Sequence, residues 1–86
     1  MANQNTASLE ERVKKIIAGI FRIDENKITR ETKFVEDLHA KSIDTIALLA
    51  ALEGEFNLKI PSQEVQANKT IGQAIDYIKE KLEKTN

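Results

Sequence analysis

Apolar side chains recur at helical spacing in two stretches near the ends of the chain. The first stretch contains Leu9, Val13, Ile16, Ile17 and Ile20. This pattern is typical of an amphipathic helix with one face toward a core. Ser8 and Glu11 have the form of a capping box, so the helix is predicted over residues 8–21. Residues 1–7 offer little apolar surface to offset the entropy of ordering and are predicted to be a flexible lead.

The second stretch predicts the last helix. It contains Ile71, Ala74, Ile75, Ile78 and Leu82. Thr70 and Gln73 again have the form of a capping box, so this helix is predicted over residues 70–83.

The most apolar stretch of the chain lies between these two and predicts a helix over residues 42–56. Its apolar positions are Ile43, Ile46, Ala47, Leu48, Leu49, Ala50, Ala51 and Leu52. The Ser42 hydroxyl is predicted to cap this helix, and Asp44 places negative charge where the helix dipole favours it. A helix that is apolar almost all round is either buried centrally or leaves one face for a partner or a ligand.

Residues 22–41 show no helical period and predict a long loop. We expect five apolar side chains to pin this loop across the helix ends: Ile23, Ile28, Phe34, Val35 and Leu38. A loop of this length in a compact domain indicates a functional role or an unrecognised element, and residues 32–37 are predicted to form a short turn. The residues before Pro61 are predicted to be extended, followed by a short helix over 62–65 capped by Ser62.

These elements predict an all-α fold. The expected architecture is a small antiparallel four-helix bundle of three main helices and one short helix, with the long loop between the first and second. Residues 8–83 are predicted to form a single domain.

Composition excludes several classes of function. The 86 residues carry a net charge of −1, which gives no general field for nucleic acid. No apolar run approaches the roughly 20 residues that span a bilayer, so membrane insertion is not expected and a cytoplasmic monomer is the default. The chain has no cysteine, so any thiol chemistry requires an imported thiol.

An enzymatic role for Ser42 is not favoured. A serine nucleophile needs a general base, and the single histidine, His39, precedes it on the other side of the predicted helix start. His39 is interpreted as a loop residue that tolerates positive φ. We therefore expect a protein that is not an enzyme.

Several short segments resemble the acyl carrier protein family in their order and spacing. They are Phe34-Val35-Glu36-Asp37-Leu38, Ser42-Ile43-Asp44-Thr45, Leu52-Glu53-Gly54-Glu55-Phe56, Ile60-Pro61 and Asp76-Tyr77-Ile78. The resemblance extends over residues 9–82. It implies that Ser42 carries a 4′-phosphopantetheine arm, whose thiol holds acyl groups as thioesters. It also implies partners: a phosphopantetheinyl transferase, and enzymes that load and transfer the acyl group.

By the same resemblance, the bundle is expected to shelter the acyl chain. The predicted acyl pocket consists of Ile46, Leu49, Ala50, Phe56, Ile60 and Ile75.

The chain departs from the family pattern around the serine. Typical members have Gly-x-Asp-Ser-Leu, whereas this chain has His39-Ala40-Lys41-Ser42-Ile43, so the adjacent charge is inverted. The partner-binding surface is predicted from Lys41, Asp44, Ala47, Leu48, Ala51 and Glu55. This low acidity favours a specialised carrier for lipid, polyketide or cell-envelope acylation over the usual fatty acid biosynthesis. The alternatives are an aminoacyl or peptidyl carrier, and an unmodified interaction module with the carrier fold.

Overall fold

The computed structural model describes residues 4–84, with side chains from Leu9 onward. It contains four α-helices: α1 (Gln4–Phe21), α2 (Ser42–Phe56), α3 (Ser62–Ala67) and α4 (Ile71–Lys84). A single 3-10 helix, Glu25–Lys27, lies between α1 and α2. The described residues include no strand, apart from one isolated antiparallel bridge between Lys33 and Thr70. The predicted helical bundle is confirmed.

α1 begins earlier than the sequence pattern predicts. Its first residue is Gln4, so Ser8 lies inside the helix and the predicted start at Ser8 is wrong. Residues 4–7 are helical rather than part of a lead, while residues 1–3 lie outside the described part of the chain. α1 ends at Phe21; the next residue, Arg22, has a left-handed backbone (φ 58°), and the Ile23 N–H donates to the Ala18 carbonyl at 3.1 Å. This is the hydrogen bond of a Schellman motif.

α2 has the predicted bounds. It ends at Phe56, and the cap residue Asn57 has a left-handed backbone (φ 55°) that closes the last turn. Leu48, Leu52 and Phe56 form its buried face. On the opposite face, the side chains of Ile43 and Ile46 remain 71% and 65% exposed. Of the two predicted alternatives, α2 therefore follows the second, in which one apolar face is left open.

The buried side chains form one hydrophobic cluster. Its members are Leu9, Val13, Ile17, Ile28, Leu48, Leu52, Phe56, Leu58, Ile60, Ile71, Ile75 and Ile78. They come from α1, α2, α4 and the connecting loops, so α2 and α4 are held in place by a shared core. None of the helices in the described part combines the length and apolar character of a membrane span.

The long loop contains an element that the apolar pattern did not predict. The 3-10 helix Glu25–Lys27 is capped by Asp24, whose carboxylate accepts the Asn26 N–H at 3.0 Å. Ile28 is buried, and three of the other expected loop anchors, Ile23, Phe34 and Leu38, are half-buried against the core. Val35 is 65% exposed, so its predicted pinning role is wrong.

The second half of the loop joins the start of α4. The N–H groups of Ile71 and Gly72 donate to the carbonyls of Thr32 and Arg30, each at 2.9 Å. These bonds satisfy first-turn donors that have no partner within a helix. The predicted turn is also present: the Asp37 N–H donates to the Lys33 carbonyl at 3.0 Å.

The two later helix starts differ in how they are capped. The predicted capping box of α4 is confirmed, since the Gln73 N–H donates to Thr70 Oγ1 at 3.2 Å and Gln73 Oε1 accepts the Thr70 N–H at 3.3 Å. α3 runs to Ala67, beyond the predicted end at Val65. Its cap residue is Pro61, which has no side-chain donor or acceptor, so the predicted cap by Ser62 is wrong.

Candidate functional site

Asp44, rather than Ser42, fixes the start of α2. The cap residue is Lys41, which has an extended backbone (φ −112°, ψ 172°), and Ser42 is the first helical residue. The Asp44 carboxylate accepts the Lys41 N–H at 3.0 Å, and the Thr45 N–H donates to the Lys41 carbonyl at 3.0 Å. The predicted cap by the Ser42 hydroxyl is therefore wrong, because the cap residue is Lys41, one position earlier. The predicted negative charge in the first turn is present at Asp44.

The Ser42 side chain is exposed and free. Its hydroxyl makes no hydrogen bond to any residue between Leu9 and Lys84. The first-turn N–H groups of a helix lack intrahelical partners and carry partial positive charge. The hydroxyl is thus accessible to a modifying enzyme, at a position that favours an attached anion.

The approach to α2 is set by His39. Its backbone is left-handed (φ 56°), as predicted, a conformation in which histidine is enriched among residues other than glycine. The His39 N–H donates to the Val35 carbonyl at 3.0 Å, and the Ala40 N–H donates to the Phe34 carbonyl at 2.9 Å. Among the described side chains, the His39 imidazole makes no hydrogen bond with Ser42.

A cavity of about 170 Å³ lies beside the start of α2. Ala40 and Thr45, which flank Ser42 in the chain, both line it. Its apolar lining is Phe21, Phe34, Val35, Leu48, Leu52, Ile60, Val65, Ala74, Tyr77 and Ile78. Its polar lining is Glu36, Gln66, Asn68 and Lys69. The cavity is several times larger than the ~30 Å³ that a water molecule occupies in the liquid, so it has room for a short apolar chain.

The residues that line the cavity are mostly not those of the predicted acyl pocket. Of the six predicted residues, Ile60 alone lines it. Ile46 and Ala50 face solvent, Leu49 is half-buried, and Phe56 and Ile75 lie in the core cluster. The cavity lies on the side of α2 that carries Thr45, Leu48 and Leu52. A nearly all-apolar helix gives no indication of which side faces its neighbours, so the sequence does not select this side.

The residues of the predicted partner-binding surface differ in how exposed they are. Lys41 and Ala47 are exposed, and Ala51 is half-buried. Leu48 is only 4% exposed and points into the core, so its assignment to a surface is wrong. Asp44 and Glu55 are on the surface, but each has a partner within the protein.

Every carboxylate of α2 is in fact engaged internally. Asp44 accepts the Lys41 N–H, as described above. Glu53 Oε2 accepts the Ile60 N–H at 2.8 Å, and Glu55 Oε2 accepts from Arg12 Nε at 2.8 Å. The face of α2 opposite its buried side is then without charge, and its exposed residues are Ile43, Ile46, Ala47, Ala50 and Gly54.

Tyr77 is the one cavity residue with a strongly shifted pKa. Burial raises the pKa of the Tyr77 hydroxyl above its usual range, and the hydrogen bond that it donates to the Glu64 carboxylate raises it further. The phenol therefore stays protonated at all physiological pH. Within the described residues, no group of three or more histidine, aspartate or glutamate side chains is arranged to hold a metal ion.

Sequence reasoning missed most of the α3 and α4 lining. Ala74 and Ile78 belong to the predicted apolar stripe of α4, so the sequence predicted that they are buried. It did not predict that they line a cavity. Val65 and Gln66 belong to a helix that has too few residues for a periodic pattern. No feature of the sequence alone places them opposite α2.

Comparison with known proteins relates the chain to a protein family and to solved structures. The family model for the phosphopantetheine attachment site matches residues 11–78. Among solved structures, the chain is similar to an acyl carrier protein from Enterococcus faecalis, with 30% sequence identity and a TM-score of 0.75. That match covers 88% of this chain and 96% of the other. The residues matched by the family model include Ser42 and Ser62 and leave out Ser8.

Proposed function

Because this chain belongs to the acyl carrier protein family, whose members hold 4′-phosphopantetheine covalently on a serine, we propose that Ser42 is the serine that carries it. Proteins of this family are carriers rather than enzymes. The observation that supports Ser42 most directly is its exposed hydroxyl, free of hydrogen bonds within the described residues, at the start of α2.

The surroundings of Ser42 fit a phosphodiester. The group is anionic, and the N-terminus of a helix favours negative charge through its free N–H groups and its dipole. Lys41 is exposed beside it and adds a positive charge. Ser62 also begins a helix, but α3 has six residues against fifteen in α2, so its dipole is weaker. The adjacent charge of Lys41 and the stronger dipole of α2 both make Ser42 the better site for a phosphodiester.

The arm supplies chemistry that the chain lacks. When bound, 4′-phosphopantetheine provides a terminal thiol on which an acyl group is held as a thioester, and the chain has no cysteine of its own. The task of the protein's residues is then to present Ser42 and to shelter the acyl chain.

We place the acyl chain in the cavity beside α2. Ala40 and Thr45 connect the cavity to the neighbourhood of Ser42, and Leu48, Leu52 and Ile78 give it apolar walls. Such a lining suits a hydrocarbon chain better than the charged amino group of an aminoacyl cargo, since burying an unpaired charge is costly. The lining thus favours an acyl carrier over an aminoacyl or peptidyl carrier.

The surface of α2 supports a specialised pathway in lipid, polyketide or cell-envelope acylation. Its three carboxylates have internal partners, and the face around Ile43 and Ile46 is apolar. A basic enzyme surface would find few free acidic groups there. We therefore propose that the transferase and the acyl-transferring enzymes contact Lys41, Ala47 and Ala51 together with this apolar face.

The proposal is tested by loading the protein with an acylated arm. The native chain is incubated with octanoyl-coenzyme A and a broad-specificity phosphopantetheinyl transferase, and the intact mass is measured. We expect a gain of one octanoyl-phosphopantetheine, retained in the matched control Ser62→Ala and lost in Ser42→Ala. Unmodified native protein, with its fold verified by circular dichroism, would instead favour the unmodified interaction module.

A further inference from the structure

α3 forms one wall of the cavity although its own burial is slight. Val65 and Gln66 line the cavity, yet none of the six residues of α3 is fully buried. Val65 is half-buried against the core cluster. A helix of this length is not stable in isolation. The position of α3 must therefore be set by contacts with neighbouring elements.

Glu64, in the middle of α3, contacts two side chains of α4. Its Oε1 accepts a hydrogen bond from the Tyr77 hydroxyl and lies 3.7 Å from Lys81 Nζ. Tyr77 and Lys81 are one helical turn apart on the same face, and Lys81 Nζ lies 5.7 Å from the centre of the Tyr77 ring. We name Glu64, Tyr77 and Lys81 the α3–α4 clamp.

Tyr77 belongs to the clamp and to the cavity wall at once. Its ring lines the cavity, while its hydroxyl reaches Glu64. The side chains of Lys81 and Glu64 are 32% and 49% exposed, so water can replace their contacts when α3 moves. Release of Glu64 would let Val65 and Tyr77 separate, which widens the cavity.

We propose that the α3–α4 clamp limits the length of the acyl chain that the cavity shelters. This inference rests on the proposed function, because the chain reaches the cavity from Ser42. With the clamp closed, the cavity of about 170 Å³ shelters a short chain. A longer chain enters fully when Glu64 releases Tyr77.

Two variants separate the clamp from the cavity wall. Tyr77→Phe removes the hydroxyl and keeps the ring in place, and Glu64→Gln removes the charge and keeps the size. Glu80→Gln is the matched control, since Glu80 pairs with Lys84 within α4 and is 65% exposed. Each protein is loaded with butyryl, octanoyl or dodecanoyl groups from the acyl-coenzyme A. Hydroxylamine then cleaves each thioester, and a slower rate of cleavage indicates that the cavity shelters the acyl chain more completely.

In the native protein, we expect the butyryl thioester to be cleaved more slowly than the dodecanoyl thioester. Tyr77→Phe should slow cleavage of the dodecanoyl thioester by about tenfold, the effect of one hydrogen bond to a charged group, and leave the butyryl rate unchanged. The rate of dodecanoyl thioester cleavage in Glu64→Gln should fall between the rates of the native protein and Tyr77→Phe. In Glu80→Gln it should equal the native rate. The same dependence on chain length in Tyr77→Phe and in the native protein would overturn the clamp.

Failure of the proposed function is distinguishable from failure of the clamp. If Ser42 accepts no arm, the proposed function fails, and the clamp is tested on the unmodified protein by hydrogen exchange. The amides of Val65 and Asn68 donate to the carbonyls of Pro61 and Val65, so their exchange reports opening of α3. We expect faster exchange in Tyr77→Phe than in Glu80→Gln, and equal exchange would overturn the clamp.

Discussion

Glu53 links the end of α2 to the cavity, and its loss should destabilise the fold. Its carboxylate accepts the Ile60 N–H at 2.8 Å, and Ile60 is 4% exposed and lines the cavity. Glu53→Ala would leave that donor without a partner. A hydrogen bond to a charged group contributes about 1.5–3 kcal/mol. Because Glu53 is half-exposed and water can partly replace it, we expect a loss of about 1.5–2 kcal/mol.

Glu55→Ala is the matched control on the same helix. Glu55 pairs with Arg12, and both side chains are more than two-fifths exposed, at 41% and 45%. An exposed ion pair of this kind contributes about 0–1 kcal/mol. Both variants replace glutamate by alanine in the last turns of α2, so the difference in helix propensity cancels.

Thermal unfolding followed by circular dichroism measures the comparison. For a domain of this size, each 1 kcal/mol shifts Tm by roughly 4–8 °C. Glu53→Ala should therefore lower Tm by about 6–16 °C, and Glu55→Ala by no more than about 8 °C. Glu53→Gln keeps a hydrogen-bond acceptor and should lower Tm by less than Glu53→Ala. Equal losses in Glu53→Ala and Glu55→Ala would refute the assignment of Glu53 to the Ile60 amide.

Three further substitutions, two of them with a matched control, test the packing, the cavity and the charge beside the serine. Gly54→Ala should raise the free energy of unfolding by about 0.5–1 kcal/mol in urea titrations, because nothing lies within 4 Å of the added Cβ. Gly72→Ala should show no such gain, because its Cβ would lie 3.0 Å from the Arg30 carbonyl oxygen. Ala74→Leu should fill the cavity and abolish acyl-dependent amide shifts in NMR spectra, whereas Ala50→Leu, on the solvent side, should preserve them. Lys41→Asp should raise the rate of modification by a broad-specificity transferase by about tenfold at low salt, because a basic enzyme surface would then meet a negative charge beside Ser42, and this faster encounter should outweigh the loss of a cation near the phosphodiester. An unchanged rate would contradict a role for this charge.

The sequence predicted the three long helices and, for α4, the way in which its start is capped. Thr70 and Gln73 form the expected reciprocal bonds of α4. α2 has the predicted bounds, although its cap residue is Lys41 rather than Ser42, and Asp44 accepts the Lys41 N–H. The start of α1 was placed too late because Ser8 and Glu11 have the form of a capping box and the apolar stripe begins at Leu9. Residues 4–7 contain no glycine or proline that would stop the helix from extending.

The candidate site was harder to predict, because it depends on which faces meet in space. α2 is apolar on nearly every side, so its sequence does not show that Leu52 lines the cavity while Ala50, a predicted pocket residue, faces solvent. The capped 3-10 helix had a local signal, Asp24 followed two residues later by Asn26, which apolar periodicity does not detect. The bond between Glu64 and Tyr77 joins residues in different helices and has no local signal.

The central claim, that Ser42 carries the arm, is tested most directly by locating the modification within the chain. The protein is treated with coenzyme A and a broad-specificity phosphopantetheinyl transferase, cleaved into peptides, and fragmented in a mass spectrometer. We predict one phosphopantetheine, on the peptide that contains Ser42 and on that side chain. A phosphopantetheine on Ser62, or on neither serine in protein with the expected helical content, would contradict the account.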